Sequence, residues 1–271
     1  MMIVQLTTPL LELWRIDGQF SNQPHTHEAE YQITVPLQGN CHFKLEHKEF
    51  SLGSGRALVQ HPGERHSFEA DSLSGLIIIK IRQEAWRGSE SAPGFARGVR
   101  QSFDSLQLSG YYRTWIDALM RSDPCDRLIR EQTEAQVIAY LSAMMTGNTM
   151  SASLSERTTN IGKDRYLDQV LDYIHSHFRE TVSIDAMAGI AAQSRYHFIR
   201  SFKAATGDTP YHYVLKLRMK EAMRLLRTTR ASVTDIALSL GYSSTSPFYR
   251  AFAGIYGVRP EQCRGESGQV H

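Results

Sequence analysis

Three histidines in the first quarter of the chain have the residue type and spacing of a binding site. His25 and His27 stand two positions apart in PHTHEAEYQITV, so on a strand both side chains point to the same face. His66 follows a turn in HPGERHSF and could join them inside a β-barrel. Imidazole nitrogens bind zinc or iron, and they also exchange hydrogen bonds with organic ligands. The three residues are therefore candidates for binding an effector or a metal.

A second set of chemically distinctive residues lies in two related C-terminal stretches. SIDAMAGIAAQSRYHFIRSFKAATGDTP (183–210) aligns with SVTDIALSLGYSSTSPFYRAFAGIYGVRP (232–260), with an offset of 49 residues before the central turn and 50 after it. Each stretch has an arginine, Arg200 or Arg250, between two phenylalanines four residues apart. Phenylalanines at that spacing share one helix face, so the arginine points away from it. An outward guanidinium can pair with guanine through two hydrogen bonds.

The same elements are predicted in both stretches. Ser183 and Ser232 are suited to cap a first helix, and Ser194 and Ser244 are suited to cap a second. A glycine then ends the second helix, and a proline three residues later prevents its continuation. Two helices joined by a short turn form a helix-turn-helix, whose second helix enters the DNA major groove.

The segment between the two stretches, PYHYVLKLRMKEAMRLLRTTR (210–230), predicts one continuous helix. Roughly eighteen residues at 1.5 Å each span about 27 Å. This length could hold two recognition helices near one DNA turn apart, about 34 Å. We therefore predict that one chain reads two successive major grooves. A helical repeat protein or a protein-binding bundle is the alternative, but two units are too few for a stable solenoid.

The N-terminal part predicts β-structure followed by helices. Residues 1–82 contain short runs rich in β-branched and aromatic residues, such as YQITV and LIIIKI, with turn signals between them. Residues 111–146 contain two helices with apolar stripes, which either cover the β domain or meet a second subunit. We assign residues 91–147 to dimerisation. The polar, small residues of 148–162 have the composition of a linker.

Charge and cysteine content narrow the class of protein. The net charge of +2 combines 15 Lys and Arg against 10 Asp and Glu from Lys163 onward with 15 against 18 before it. A basic C-terminal part suggests a polyanionic partner. The three cysteines are far apart and form no CxxC pair, so neither a zinc ribbon nor a disulfide framework is predicted. The chain has no long apolar run and no signal-peptide pattern, so we expect a cytoplasmic protein without a membrane partner.

The C-terminal region, about residues 165–264, resembles the DNA-binding domain of AraC/XylS-family transcription regulators. The resemblance lies chiefly in SVTDIALSLGYSSTSPFYRAFAGIYGVRPEQCR. It implies a double helix-turn-helix domain over residues 163–265, promoter DNA as a partner and contact with RNA polymerase. The side chains that it places against DNA lie on and just before the two recognition helices. For base contacts they are Tyr196, Ile199, Arg200, Thr245, Ser246 and Arg250, and for phosphate contacts they are Lys203, Ser194 and Ser244.

The N-terminal histidine region resembles the two halves of a cupin barrel, which many AraC-family regulators carry as an effector domain. This resemblance implies a barrel over residues 1–90 around His25, His27 and His66. Metal-binding cupins usually carry a glutamate shortly after the second histidine, where this chain has Tyr31 and Gln32. An organic-ligand pocket or an inherited scaffold is therefore favoured, and no cofactor is predicted. A bound metal with a sensing role and a catalytic cupin are the alternatives.

These features predict a two-domain α+β chain. The N-terminal domain is an antiparallel, cupin-like β-barrel with a helical dimerisation segment, and the C-terminal domain is an all-α double helix-turn-helix. The predicted function is that of a sequence-specific DNA-binding transcription regulator, not an enzyme: a homodimeric activator that responds to a small effector. The alternatives are a metal-dependent cupin enzyme or metal sensor with a DNA-binding appendage, and a regulator that responds only to its own abundance.

Overall fold

The computed structural model describes residues 1–86, 100–123, 126–145 and 163–264. The predicted linker at 148–162 lies outside these residues. The chain divides into two compact units. The N-terminal unit comprises Met1–Ile116 and Val137–Ser155, and the C-terminal unit comprises Asp117–Gln136 and Glu156–His271. The boundaries fall inside the helices α1 (Ser105–Arg121) and α2 (Arg127–Met145).

The N-terminal unit contains two antiparallel sheets. The described strands form a six-stranded sheet in the order β1-β2-β9-β4-β7-β10 and a four-stranded sheet in the order β3-β8-β5-β6. A short 3-10 helix, Gln83–Trp86, follows β9. The strands are β1 (Met2–Thr7), β2 (Leu11–Asp17), β3 (Phe20–Ser21), β4 (Glu30–Gln38), β5 (Asn40–Leu45), β6 (Lys48–Gly53), β7 (Arg56–Gln60), β8 (His66–Ala70), β9 (Gly75–Arg82) and β10 (Arg100–Ser102).

The inner faces of the two sheets pack together. On β5, the buried Cys41, Phe43 and Leu45 alternate with exposed residues, as the two-residue period of a strand requires. These side chains share one apolar cluster with Leu58 of β7 and Ile78 of β9. The predicted cupin-like barrel thus has the form of two facing sheets.

The outer face of the six-stranded sheet is buried as well. Ile79 on this face has no exposed surface. Trp115 of α1 and Tyr140 of α2 are also buried, with ring centroids 5.7 Å apart. Tyr112 of α1 lies close enough to Arg15 of β2 for the arginine charge to act on it, and burial raises the pKa of Tyr112 to about 12. Apolar side chains of both helices are therefore buried within the chain, and the assignment of residues 91–147 to dimerisation stays a prediction.

The C-terminal unit is helical, so the predicted combination of a β domain and an all-α domain is confirmed. Among the described helices, none is both long and apolar enough to cross a bilayer. The segment 117–136 belongs to this unit together with the helices that follow residue 162. Those helices are α3 (Lys163–His177), α4 (Ile184–Ile190), α5 (Arg195–Thr206), α6 (Pro210–Thr228), α7 (Val233–Ser239), α8 (Thr245–Tyr256) and a 3-10 helix, Pro260–Cys263.

Three of the four predicted serine caps form a capping hydrogen bond. Ser183, Ser194 and Ser232 each accept a backbone N–H of the first helical turn, as predicted. Ser244 stands at the cap position of α8, but its side chain makes no capping hydrogen bond. Gly207 adopts a left-handed conformation after α5, with a φ of +82°, and ends that helix as predicted.

The turns inside the two helix-turn-helix copies differ by one residue. Residues 191–194 join α4 to α5, whereas residues 240–244 join α7 to α8, which confirms the inserted residue. Gly241 has a φ of +81°, and Ala192 takes the corresponding left-handed conformation with a φ of +51°. A Cβ atom on Gly241 would lie 2.7 Å from the carbonyl oxygen of Arg179. Glycine is therefore required in the second turn for two reasons, conformation and space.

Each copy is built around its own apolar core. Phe198 and Phe202 lie in one cluster, which also includes Leu128 of α2. Phe248 and Phe252 lie in the other and are completely buried. The prediction that both phenylalanine pairs face inward is confirmed. The opposite side of each recognition helix is left available for a ligand.

Candidate DNA-binding surface and effector site

The first recognition helix, α5, presents three of the predicted residues on its accessible side. Tyr196 and Arg200 are half-buried, and Lys203 is exposed. They are spaced by four and three residues, so they follow one side of the helix. The Arg200 guanidinium lies 5.6 Å from the centroid of the Tyr196 ring, in the range of a cation–π contact. Arg200 is thereby supported at the surface rather than drawn into the core.

The base-contacting role predicted for Ile199 is wrong. Its side chain is 5% exposed and belongs to the apolar cluster that contains Phe198 and Phe202. The buried stripe of a core-facing helix covers more than one residue per turn, so Ile199 is buried beside Phe198. His197 is exposed at the start of α5, three residues before Arg200, and sequence analysis missed it. Its helical spacing from Arg200 was the available signal.

The second recognition helix, α8, has a smaller set of accessible side chains. Thr245 is half-buried, while Ser246 and Arg250 are exposed and stand one turn apart. Pro247 occupies the first turn, where the missing N–H group costs no intrahelical hydrogen bond. The Nε atom of Arg250 donates a hydrogen bond to the backbone carbonyl of Arg121 at 3.2 Å. Arg250 is therefore already engaged within the C-terminal unit.

The two serines proposed for phosphate contact differ in their capping hydrogen bonds. The Ser194 hydroxyl accepts the backbone N–H of His197 at 3.4 Å. Ser244 is exposed and makes no capping bond. Ser243, which lies in the longer turn of the second helix-turn-helix, was missed by sequence analysis. Both its backbone N–H and its hydroxyl donate to the Asp123 carboxylate, at 2.7 and 2.6 Å.

The three N-terminal histidines are brought together at the start of β8. His25 and His66 form an isolated bridge, with backbone N–H to carbonyl distances of 3.0 and 2.9 Å in the two directions. Their ring centroids are 4.5 Å apart. His27 lies 4.9 Å from the His25 ring and 5.2 Å from the His66 ring. We call this group the histidine cluster.

Burial favours neutral imidazoles at His27 and His66 in the histidine cluster. The Nδ1 atom of His25 lies 2.8 Å from the Gln23 carbonyl, and that of His66 lies 3.0 Å from the Glu64 carbonyl. A proton on each Nδ1 atom leaves Nε2 as an acceptor or metal ligand. Burial, together with the charge of Lys80 and the neighbouring histidines, lowers the pKa of His27 to about 4. Burial also lowers the pKa of His66.

The histidine cluster fits a metal ion in residue type and nearly in distance. One ligand atom from each histidine lies within 4.8 Å of the others. A tetrahedral ion with metal–nitrogen bonds of about 2.1 Å needs nitrogens about 3.4 Å apart, so small rotations of the rings would complete the site. The Nε2 atoms of His27 and His66 are buried without a hydrogen-bond partner. Such atoms are costly unless a ligand satisfies them.

A surface cavity of about 430 Å³ adjoins the histidine cluster. His27 lines it together with residues on either side of the β4 start and the β9 end. A volume of this size suits a small organic molecule. The lining residues are Thr26, His27, Glu28, Ala29, Glu30, Arg82, Gln83 and Glu84.

Comparisons with known proteins agree with both halves of this arrangement. A family model described as an AraC-like ligand binding domain matches residues 11–136, and one described as a helix-turn-helix domain matches residues 187–266. The transcriptional regulator YobQ of Bacillus subtilis, itself named as uncharacterized, is 24% identical over 241 residues, covering 89% of this chain and 88% of YobQ.

Two further relatives have more specific names. The HTH-type transcriptional activator RhaS of Klebsiella pneumoniae is 24% identical over 251 residues, covering 89% of this chain and 87% of RhaS. The HTH-type transcriptional regulator MtrA of Neisseria gonorrhoeae is 34% identical over 107 residues, covering 40% of this chain and 36% of MtrA.

The fold and the matched domains define a two-domain transcription regulator, with a ligand-binding domain followed by a helix-turn-helix domain that binds DNA. The chain belongs to the AraC family of transcriptional regulators. The predicted family is thereby confirmed.

Proposed function

We propose that this chain is a cytoplasmic, effector-responsive activator that reads promoter DNA with α5 and α8 in two successive major grooves. The observation that carries this proposal is the pair of arginines at equivalent positions, Arg200 and Arg250, on the accessible sides of the two recognition helices. Activation is supported by RhaS, which is named as an activator. Contact with RNA polymerase is a further part of the proposal.

Side-chain chemistry decides which residues we assign to base contacts and which to phosphate contacts. Arg200 and Arg250 can pair with guanine through two hydrogen bonds, and Tyr196 supports Arg200 through its ring. Lys203 is exposed one turn further along and suits a phosphate. The remaining candidates have shorter side chains and make weaker contacts. They are Thr245 and Ser246 for bases, and Ser194 and Ser244 for phosphates.

The first experiment tests the two arginines in the full-length protein. Duplexes selected from a random library by the wild type serve as the probe, and binding is measured by fluorescence anisotropy. Arg200→Ala and Arg250→Ala should each cost about 1–3 kcal/mol and relax the preference at one or two base pairs. Arg113→Ala removes the same charge from the exposed side of α1 and should leave the preference unchanged. Unaltered base preference in both recognition-helix variants would remove these arginines from base reading.

The histidine cluster is proposed as the effector site. Support comes from the two buried, unpartnered Nε2 atoms and from the adjoining cavity lined by His27. A small organic effector in the cavity could satisfy these atoms by hydrogen bonds. A metal ion could satisfy them by coordination, which makes a metal sensor the second candidate function. Because the relatives are named as transcriptional regulators, we propose a sensing role and no catalytic step.

The metal content of the purified full-length protein separates these two effector classes. Elemental mass spectrometry is applied to the wild type, a His25→Ala/His27→Ala variant and a His42→Ala control, in which an exposed histidine of β5 is removed. About one equivalent of zinc or iron in the wild type and control, lost in the double variant, supports metal sensing. A metal-free wild type leaves an organic effector, to be sought by thermal-shift screening with the double variant as the negative control.

A homodimer is also part of the proposal. The apolar stripes of α1 and α2 are buried within the chain, so the contact must use exposed positions such as Leu106, which is 87% exposed at the start of α1. Sedimentation equilibrium at micromolar concentration should give twice the monomer mass. Leu106→Glu should shift the equilibrium toward the monomer. A wild-type monomer under these conditions would contradict the dimer.

A further inference from the structure

The segment 117–136 makes a charged contact with the second helix-turn-helix. It carries five carboxylates and three arginines, in contrast to the basic region after residue 162. Asp123 in this segment is 5% exposed, and its two carboxylate oxygens take the two donors of Ser243. One oxygen accepts the backbone N–H at 2.7 Å, and the other accepts the hydroxyl at 2.6 Å. The carboxylate thus faces the start of the second recognition helix.

These two donors are of the kind that bind a DNA phosphate. Ser243 directly precedes Ser244, the cap residue of α8, so its N–H lies at the positive end of the helix. Backbone N–H groups and serine hydroxyls at helix starts commonly hold phosphate oxygens in protein–DNA complexes. A carboxylate presents two anionic oxygens, as a phosphate does. Asp123 therefore occupies the place that a phosphate of bound DNA would take.

The same segment also holds the base-reading arginine of α8. The carbonyl of Arg121, two residues before Asp123, accepts the hydrogen bond from Nε of Arg250 at 3.2 Å. A guanidinium held through Nε by a backbone carbonyl has lost part of the freedom needed to align with a base edge. Arg200 on the first recognition helix is instead supported by the ring of Tyr196 on its own helix.

The rest of the segment is fixed to the C-terminal unit at other helix starts. Glu131 accepts the backbone N–H of Ile184, the first residue of α4, at 2.6 Å. Gln132 accepts the backbone N–H of Tyr211 in the first turn of α6 at 3.2 Å. These anchors keep residues 121–123 close to α8, so a released contact can form again without diffusion from solution.

We propose that residues 121–123 form a DNA-mimicking plug that closes the second helix-turn-helix, with Asp123 in the phosphate position at Ser243 and the Arg121 carbonyl holding Arg250. DNA binding by α8 requires the plug to leave. The inference rests on the proposed contact of α8 with DNA, and it adds a regulated step to that contact. On α5, Glu134 of the same segment lies 3.9 Å from Arg195 at the helix start, whereas Arg200 is supported by Tyr196 of its own helix. The proposed plug therefore acts on the base-reading arginine of the second recognition helix and not on that of the first.

The test compares full-length wild type with Asp123→Ala on a duplex that the wild type selects from a random library. Removing a charge-assisted competitor should tighten binding about tenfold at fixed salt. Asp168→Ala, on the exposed side of α3, makes the same change in net charge and should alter affinity less than twofold. Asp123→Asn keeps an acceptor for Ser243 and loses the charge, so it should give a smaller gain, about threefold. It also serves if Asp123→Ala does not fold.

A second measurement follows the plug itself. Amide hydrogen exchange of residues 117–123 in the wild type should rise when saturating duplex is added, because the plug is displaced. Equal affinity of wild type, Asp123→Ala and Asp123→Asn, or exchange that the duplex leaves unchanged, would overturn the inference while leaving DNA binding intact. Failure of every variant to bind any selected duplex would instead overturn the proposed function.

Discussion

Arg218 is buried in the interior of the C-terminal unit, where several acceptors surround its guanidinium. Its guanidinium donates to the carbonyls of Phe178 at 2.6 Å and Glu180 at 2.8 Å, and it meets the Asp126 carboxylate at 3.4 Å. It also lies 5.7 Å from the centroid of the Tyr242 ring. Burial raises the pKa of Asp126, and the charge of Arg218 opposes that rise. One side chain thus connects the end of α3, the segment 117–136 and the second turn.

Replacing Arg218 should therefore destabilise the C-terminal unit strongly. Arg218→Ala leaves Asp126 buried without its cation and leaves two carbonyls without donors, which we expect to cost about 3–5 kcal/mol. The free energy of unfolding is measured by urea titration of the full-length protein. Arg224→Ala, which breaks the exposed pair with Glu221 on the same helix, should cause little change. Equal losses in the two variants would show that burial does not set the value of Arg218.

Helix periodicity predicts some of these side-chain positions but not their distant partners. The outward positions of Arg200 and Arg250 followed from the four-residue spacing of phenylalanines, because helix geometry fixes that relation. Ile199 was misplaced because the width of a buried stripe depends on what packs against it. The partner of Ser243 could not be foreseen, since Asp123 is 120 residues away in the sequence.

The two helix-turn-helix copies form the same backbone turn with different residues. Both place one residue in the left-handed region, Ala192 in the first turn and Gly241 in the second. An Ala192 Cβ tolerates this conformation at some cost in strain. At Gly241 the carbonyl of Arg179 also occupies the space that a Cβ would need. The two turns therefore share a backbone conformation, but a side chain is tolerated at residue 192 and not at residue 241.

This difference predicts opposite outcomes for reciprocal substitutions. Gly241→Ala should destabilise the protein by about 1–3 kcal/mol, because it adds left-handed strain and a backbone clash. Ala192→Gly relieves strain but frees the unfolded chain, so the two effects should nearly cancel. Urea unfolding followed by circular dichroism at 222 nm measures both. A Gly241→Ala variant as stable as the wild type would contradict the close approach to Arg179.

Most helices and strands could be predicted from the sequence, but the partners that pack on their apolar faces could not. Periods of two and of 3.6 residues indicate strands and helices directly, which is why the β and α halves were predicted correctly. The apolar stripes of α1 and α2 indicated that something covers them, and the sequence left a second subunit and the β domain as alternatives. The grouping of residues 117–136 with the C-terminal unit depends on long-range contacts, which no local sequence pattern contains. One example is the place of Leu128 in the apolar cluster around Phe198.

At the scale of the whole molecule, charge is distributed according to function. From Lys163 onward the net charge is +5, and the preceding part carries −3. Phosphates of DNA are therefore attracted to the C-terminal part, and each phosphate that a Lys or Arg neutralises releases condensed counterions. The plug at residues 121–123 acts against this attraction by placing a carboxylate among the donors. Affinity should consequently depend on both salt and the state of the plug.

We expect the logarithm of the association constant of the full-length protein for duplex DNA to fall linearly with the logarithm of salt concentration. For each phosphate neutralised, the constant should fall by about 0.9 logarithmic units per tenfold increase in salt. Lys203→Ala should reduce this slope by about one and weaken binding equally across sequences, since Lys203 is proposed to contact a phosphate. Arg113→Ala, which removes a positive charge from the N-terminal unit, should leave the slope unchanged. Anisotropy titrations between about 50 and 200 mM salt provide the measurement. A flat salt response would mean that phosphate neutralisation does not drive binding, and a slope unaffected by Lys203→Ala would place the phosphate contact elsewhere.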